Sequence, residues 1–511
     1  MSRSAAVLDW LDGTSDRLSP IVVKEVRQIV RGQEFSYAFG ASLLAGLAVA
    51  FFGAADALGG SGTSGNGTFI ALMTCLTFLG MVVVPFGAFS ALRNERMEQT
   101  LELITLTALS PRRVVIGKLL AQGVKLATLF AAMAPFIAMS FLLGGIDFVT
   151  IVISLLVLFM WSLWACAACL FLSCLLKSRA MSGLIFGAAG IVLFVVFGMS
   201  RLFYFAVTRG LGGMAVGGVG AGVGGSSWQG LAIMVTFCLA TMINLVLLAE
   251  NRLTLPTDNR VTPLRIGFLV QFLLIAAWTL AFANAPFPAA AQALAMLGLF
   301  AGLHLAVVAT FTVTESLVVS RRVQLQTAAS APRRWLMAIF RPGGGRGVLY
   351  VLAQMMVLLL VAFRLDGSGS NIRWFLALCA YICLFTGVPT IVFRLAKPAS
   401  AASVPLRVAA LLLLPLAMLL PDIINYAVKQ PEVLDLSFGA RHLINPFRTL
   451  SNWSTVETEY GFSAPFSLGL LGLLSYLALA YLGRRMSVES VPDSGGSEEA
   501  AGEPGSAKAL Y

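Results

Sequence analysis

The sequence is short of charge. Only 12% of its 511 residues are Asp, Glu, Lys or Arg, about half the share found in soluble domains. A chain this long cannot coat a water-soluble globule with so little polar surface, so lipid must solvate part of it. Histidine is scarcer still, with His304 and His442 alone. Paired aspartates, an HExxH helix and a Gly-x-Ser-x-Gly elbow are all missing from the apolar runs, which removes the usual constellations of an intramembrane enzyme. Carboxylates do not follow one another through the apolar runs either, which argues against a proton- or sodium-coupled carrier. Glu315 stands at the end of one such run, within reach of Arg321 or Arg322, and Asp422 and Asn425 stand at the end of another. A phosphate-cradling loop of the Gly-x-x-x-x-Gly-Lys-Ser/Thr type is also lacking. Gly117-Lys118 comes nearest, but Arg112 holds the first glycine position and Leu119 follows the lysine. The chain is therefore expected to bind no cofactor itself. The seven cysteines all fall inside apolar runs. There Cys166-Ala-Ala-Cys169 reads as small packing residues rather than a redox or metal pair.

What the sequence has instead is hydrophobicity: 58% of the residues are apolar. A membrane-crossing helix needs roughly 20 mainly apolar residues. Twelve stretches qualify, at 38–58, 69–92, 119–143, 148–176, 183–207, 230–249, 266–285, 289–318, 348–363, 374–393, 406–427 and 464–482. The expected fold class is an all-α, polytopic integral membrane protein of about twelve spans. Arg and Lys concentrate on the cytoplasmic side of membranes. With both termini inside, the inner segments hold 27 of the 35 basic residues and the outer segments 6. That split explains the net charge of +11 without nucleic acid, for which an exposed basic stripe on a folded module would be needed. Residues 1–37 are polar and the first apolar run starts too late for a cleavable signal, so the first span is expected to act as an uncleaved signal-anchor.

The chain is expected to divide into a cytoplasmic segment 1–37, a first six-span domain 38–250, a linker 251–265, a second six-span region 266–485 and a disordered tail 486–511. The echo of Leu109-Ser-Pro-Arg-Arg in Ser330-Ala-Pro-Arg-Arg hints that the second region is a diverged duplicate. The ten glycines of 209–230 read as a flexible outer loop. Residues 428–463 form the longest outer loop and are expected to fold as a small cap.

Two inner segments are ordered beyond what a connector needs. In the first, Ser19 and Pro20 read as the N-cap and first residue of a short helix. Val22, Val26, Ile29 and Val30 recur at helical spacing, with Lys24, Arg27, Gln28 and Arg31 opposite. Such a helix would lie in the inner interface. In the second, residues 93–118, Glu95, Glu98 and Glu102 share one helical face and Met97, Leu101 and Ile104 another. Ser110-Pro111 then restarts a helix that runs into the third span.

These residues carry a resemblance. The string Pro-x-x-x-Lys-Glu-x-Arg-Gln spans Pro20, Lys24, Glu25, Arg27 and Gln28. Glu-Arg-x-x-x-Thr-Leu-Glu-Leu spans Glu95, Arg96, Thr100, Leu101, Glu102 and Leu103; Leu109-Ser110-Pro111 and Gly117-Lys118-Leu119 follow. Over about the first 250 residues the chain resembles the permease subunits of type-2 ABC exporters. The resemblance implies that six spans form one transmembrane domain and two such domains form a pathway, in a homo- or hetero-oligomer of permeases or within one chain. A separate pair of ABC ATPase subunits would bind ATP and Mg and dock underneath. Glu95–Leu106 would be the coupling helix seated in the ATPase, with Glu95, Arg96, Glu98, Thr100, Leu101, Glu102, Leu103, Ser110 and Pro111 at the contact. The helix from Pro20 to Gln28 would brace it. The location implied is the cell membrane, with lipid as the other partner. The sequence departs from the family in its glycine-rich loop between spans five and six and in its second six spans. A different reading of the same residues is a non-transport membrane scaffold or assembly factor acting through 428–463.

Overall fold

The computed structural model describes residues 20–59, 64–97, 110–144, 148–175, 227–254, 258–283, 289–315, 339–365, 370–396, 443–461 and 463–489, with single positions between them. All regular structure among the described residues is helical. The chain is a polytopic helical membrane protein: ten of the described helices are long and apolar enough to cross a bilayer. They fall on ten of the twelve expected stretches. The stretch 406–427 lies outside the described residues, and 183–207 is described at isolated positions only.

Most of the helices begin earlier than the apolar runs that identify them. The first is α1, Pro20–Arg31, followed by α2, Gln33–Leu58. Gly32 between them adopts an extended backbone (φ −70°, ψ 136°), so α1 is a helix in its own right and not a leader of the span. The second span is α3 (Ser64–Phe78), a π-helical turn at Leu79–Val83, and α4 (Val84–Met97). Pro85 explains the interruption. Its ring excludes the carbonyl of the residue four positions earlier, and a widened turn accommodates it without breaking the helix. The same turn carries Gly80, where a Cβ would come within 2.5 Å of the Ser162 hydroxyl. Helix α5 covers Pro111–Leu142, α6 Phe148–Ser173, α7 Ser227–Leu253, α8 Thr262–Ala283 and α9 Ala289–Val313. They are followed by α10 at Gly344–Leu365, α11 at Ser370–Ala396 and α12 at Ser463–Glu489.

The chain forms two compact units, Met1–Ala301 with Leu360–Ser368 and Gly302–Leu359 with Gly369–Tyr511. In the first unit α1 lies along α5, α4 packs on α6, and α7 packs between α6 and α8. One apolar core gathers Phe69, Leu72, Met73 and Leu76 of α3 with Met133 and Ile137 of α5 and Leu158 of α6. A second joins Leu92 of α4, Leu126 and Leu129 of α5, and Cys166 and Leu170 of α6. Cys166 and Cys169 thus sit in packed cores, and none of the seven cysteines is in a disulfide. On either side of the segment expected as a linker between halves, 251–265, α7 and α8 are bonded to one another. Asn251 Nδ2 donates to the Arg260 carbonyl at 2.9 Å, and Asn244 Nδ2 donates to Gln271 Oε1 at 2.5 Å across the α7–α8 pair. The division between compact units lies beyond it, inside α9.

In the second unit α11 and α12 are the closest pair. A Cβ on Gly472 would lie 2.4 Å from the Leu384 backbone nitrogen, so the two backbones touch. Thr386 Oγ1 and the Tyr476 hydroxyl share a hydrogen bond of 2.7 Å beside this contact. Of the expected outer cap, residues 443–461 are described: a short helix at Pro446–Ser451 and a π-helical turn at Val456–Tyr460. They are fastened to α11, whose Trp374 Nε1 donates to the Leu450 carbonyl at 2.9 Å and whose Tyr381 hydroxyl donates to the Leu443 carbonyl.

Candidate functional site

Three charged residues far apart in sequence meet at one end of the first unit. Lys118, about two turns into α5 from its start at Pro111, is 3% exposed. Its Nζ lies 2.7 Å from Glu95 Oε1, in the last turn of α4, and 3.0 Å from Glu25 Oε1 on α1. Glu25 is itself 8% exposed. A lysine ammonium has three donors; two of them here hold carboxylates on two different helices. One side chain therefore ties α1, the end of the second span and the start of the third into a single node.

Local sequence explains why each group arrives there. Ser110 has the extended backbone of an N-cap, and Pro111 is the first helical residue, as its fixed φ favours. The amides of Arg113 and Val114 close onto the Ser110 carbonyl, while the Ser110 side chain makes no capping bond. From that start, Lys118, Gln122 and Lys125 follow at intervals of four and three and share one face of α5. All three are buried. Lys125 points at α4, where a Cβ on Gly87 would lie 3.5 Å from its Nζ, and Glu34 at the start of α2 is close enough to act on it electrostatically. Lys125 is thus buried against α4, with the exposed Glu34 as a nearby opposite charge. On the neighbouring pair of helices, Arg112 acts in the same way on Glu250 near the end of α7.

On α1, Val22 is buried together with Glu25, whereas Lys24, Arg27 and Gln28 are exposed and so is Val30. The apolar face is narrower than the periodicity suggests, and a carboxylate lies on it. Pro20 begins the helix. Helix α4 continues without a break to Met97, so Glu95 and Arg96 belong to its last turn. Glu98, Thr100, Leu101, Glu102 and Leu103 lie outside the described residues.

The other ionisable groups singled out in the sequence lead elsewhere. His304 is buried beside Gln354, which donates to the Tyr350 hydroxyl at 2.7 Å. The Glu315 carboxylate accepts the Gly343 amide at 3.3 Å, and its carbonyl accepts from Arg394 at 2.8 Å. Arg321 and Arg322, its expected partners, lie outside the described residues, as do Asp422, Asn425 and His442. Among the described residues no group of three His, Cys, Asp or Glu is placed to hold a metal ion.

In comparison with known proteins, neither a family model nor a curated protein nor a solved structure matches this chain. The node at Lys118 is the feature that the sequence motifs did not foretell as a contact. Its signal was present in the polar stripe Lys118, Gln122, Lys125 within an otherwise apolar helix.

Proposed function

We propose that the chain is the permease subunit of an ATP-binding cassette exporter in the cell membrane, driven by a pair of separate ATPase subunits. The observation that carries the reading is the node itself. Three of the four sequence strings on which the resemblance rests are distant from one another, with 93 and 23 positions separating Lys118 from Glu25 and Glu95. Each contributes one charged group to one buried cluster. A chain that must pass a push from a cytoplasmic motor to its spans needs such a junction, because force applied between α4 and α5 reaches α1 and both spans through it. The segment 98–109 joins those two helices and is where the motor would seat, with Glu98 and Glu102 facing it. The ATP, Mg and hydrolysis would then all be the partner's.

The experiment is to purify the tagged full chain from its native membranes, with and without Glu98→Lys and Glu102→Lys. The expected result is ATPase activity that co-purifies with the unaltered chain and is lost, by about tenfold or more, with the double variant at equal membrane insertion. Equal ATPase recovery from both would remove the reading and favour the scaffold acting through 428–463.

A further inference from the structure

The first unit contains a second feature, remote from the ionic node. Between α6, α7, α8 and the start of α9 lies a cavity of about 420 Å³, within the range of roughly 300–1,000 Å³ typical of ligand sites. Trp161 and Trp164 of α6, Phe237 of α7, Trp278 of α8 and Phe300 of α9 line it, with the Phe237 and Phe300 rings 5.3 Å apart. Lys118 and Arg112 stand at the N-terminal end of α5 and Glu250 at the C-terminal end of α7, whereas the cavity is built from the first half of α7 and the second half of α8.

Most of the polar groups near the cavity are bonded within the protein, to each other or to backbone carbonyls. The Trp278 indole N–H donates to Thr236 Oγ1 at 3.0 Å, the Thr236 hydroxyl is bonded to the Ala232 and Ile233 carbonyls, and Gln271 Oε1 accepts from Asn244 at 2.5 Å. Thr241 and Thr279 return their hydroxyls to their own helices. The walls therefore present hydrocarbon and ring faces without asking a ligand for a hydrogen bond. Water gains little in such a space, and apolar cavities of this kind stay dry and take apolar guests. Entry is lateral. Trp161 is the exposed lining residue, at 41%, and it stands in the middle of α6, where a spanning helix meets acyl chains rather than water.

We propose that this cavity is a binding site for one hydrocarbon chain of a membrane lipid, admitted past Trp161. A chain fits where a whole lipid does not, and it reaches the mouth already dissolved in the surrounding phase. Aromatic walls give it contact on every side without fixing its headgroup. The inference does not rest on the exporter reading, and its test needs no ATPase.

The test uses the full chain in lipid nanodiscs containing phosphatidylcholine with a photoactivatable diazirine near one chain end, with palmitic acid bearing the same group in a second arm. Labelled residues are mapped by mass spectrometry. The outward face of α2, where Leu44, Leu47 and Phe51 are exposed, reports bulk lipid in the same sample. The expected result is stronger labelling per residue at the cavity than on α2, falling by about tenfold in Ala240→Trp, which fills the cavity, with α2 labelling unchanged. Thr241→Leu, a smaller filling, should give a partial loss and serves if the tryptophan variant does not fold. Labelling in both arms supports a phospholipid chain; labelling by palmitic acid alone restricts the occupant to single-chain lipids. Cavity labelling no higher than α2, or unaffected by either filling, overturns the proposal.

Discussion

A charge is expensive to bury, and the cost falls steeply when it is shared correctly. Lys118 shows how the sharing is done. Its ammonium holds two carboxylates at 3.0 and 2.7 Å, so removing it leaves two acids facing each other beside apolar helices. Lys118→Met is expected to destabilise the first unit by on the order of 3–5 kcal/mol. Adding Glu25→Gln and Glu95→Gln should restore most of that loss, because the triple variant buries no unmatched charge. Thermal unfolding of the purified full chain reads both, and a triple variant no more stable than Lys118→Met would show that the node is not held by charge balance. Glu95→Gln alone should cost less than Glu25→Gln, since the Glu95 side chain keeps 22% of its exposure against 11% for Glu25 and water screens it. Glu25 was legible in the sequence as part of a motif and not as a buried group. A helical wheel places it beside basic residues, and only the packing of α1 on α5 decides which side turns inward.

At the scale of elements, the helices owe their positions to where backbones can touch. In a membrane the surrounding lipid is as apolar as the side chains, so close packing by small residues replaces hydrophobic driving force between helices. Gly472 is such a place: an added Cβ would meet the Leu384 and Cys383 backbone, which cannot swing aside. Gly472→Ala should separate α11 from α12 and cost about 1–3 kcal/mol or more, the range for overpacked cores. Gly40 on α2 is the contrast, since a Cβ there meets nothing within 4 Å. Gly40→Ala should be neutral, or stabilising by up to about 1 kcal/mol through helix propensity. Melting temperatures of the two single variants, measured side by side, check the difference; equal effects would mean that the α11–α12 contact is dispensable. Neither glycine differs from the other in the sequence. Helix existence was legible because each span needs its run of apolar residues. Helix ends were legible only where a cap marks them: α5 begins at Pro111, as Ser110-Pro111 announces, eight residues ahead of the apolar run and through the exposed Arg112 and Arg113. The π-helical turn had a visible cause in Pro85, although the widened turn is one of several ways a helix can accommodate proline.

For the whole molecule, the ten described spans agree with the apolar stretches, while the grouping of those spans into units could not be read. Phe51 faces outward and Phe69 is fully buried, yet both are phenylalanines in apolar runs, because lipid and protein interior demand the same chemistry. The polar pairs that join α7 to α8 across the expected linker are likewise visible only once the helices are side by side. What remains open to the sequence alone is parity, and parity can be measured. With both termini inside and twelve spans, residue 258 follows six crossings and residue 452 follows eleven. Single cysteines at Gln33, Gly59, Asp258 and Asn452 are suited to labelling by a membrane-impermeant maleimide in intact cells, since six of the seven native thiols are buried and the seventh, Cys75, lies half-buried within a span. Labelling from outside is expected at Gly59 and Asn452 and not at Gln33 or Asp258, which should react only after permeabilisation. The four positions separate the alternatives. Asp258 labelled from outside would remove the crossing at 183–207, since five crossings would then precede it. Asp258 and Asn452 both protected would keep that crossing and remove the one at 406–427. Gln33 reactive from outside would invert the whole arrangement, moving the Lys118 node and the segment 98–109 to the face where no cytoplasmic ATPase could reach them.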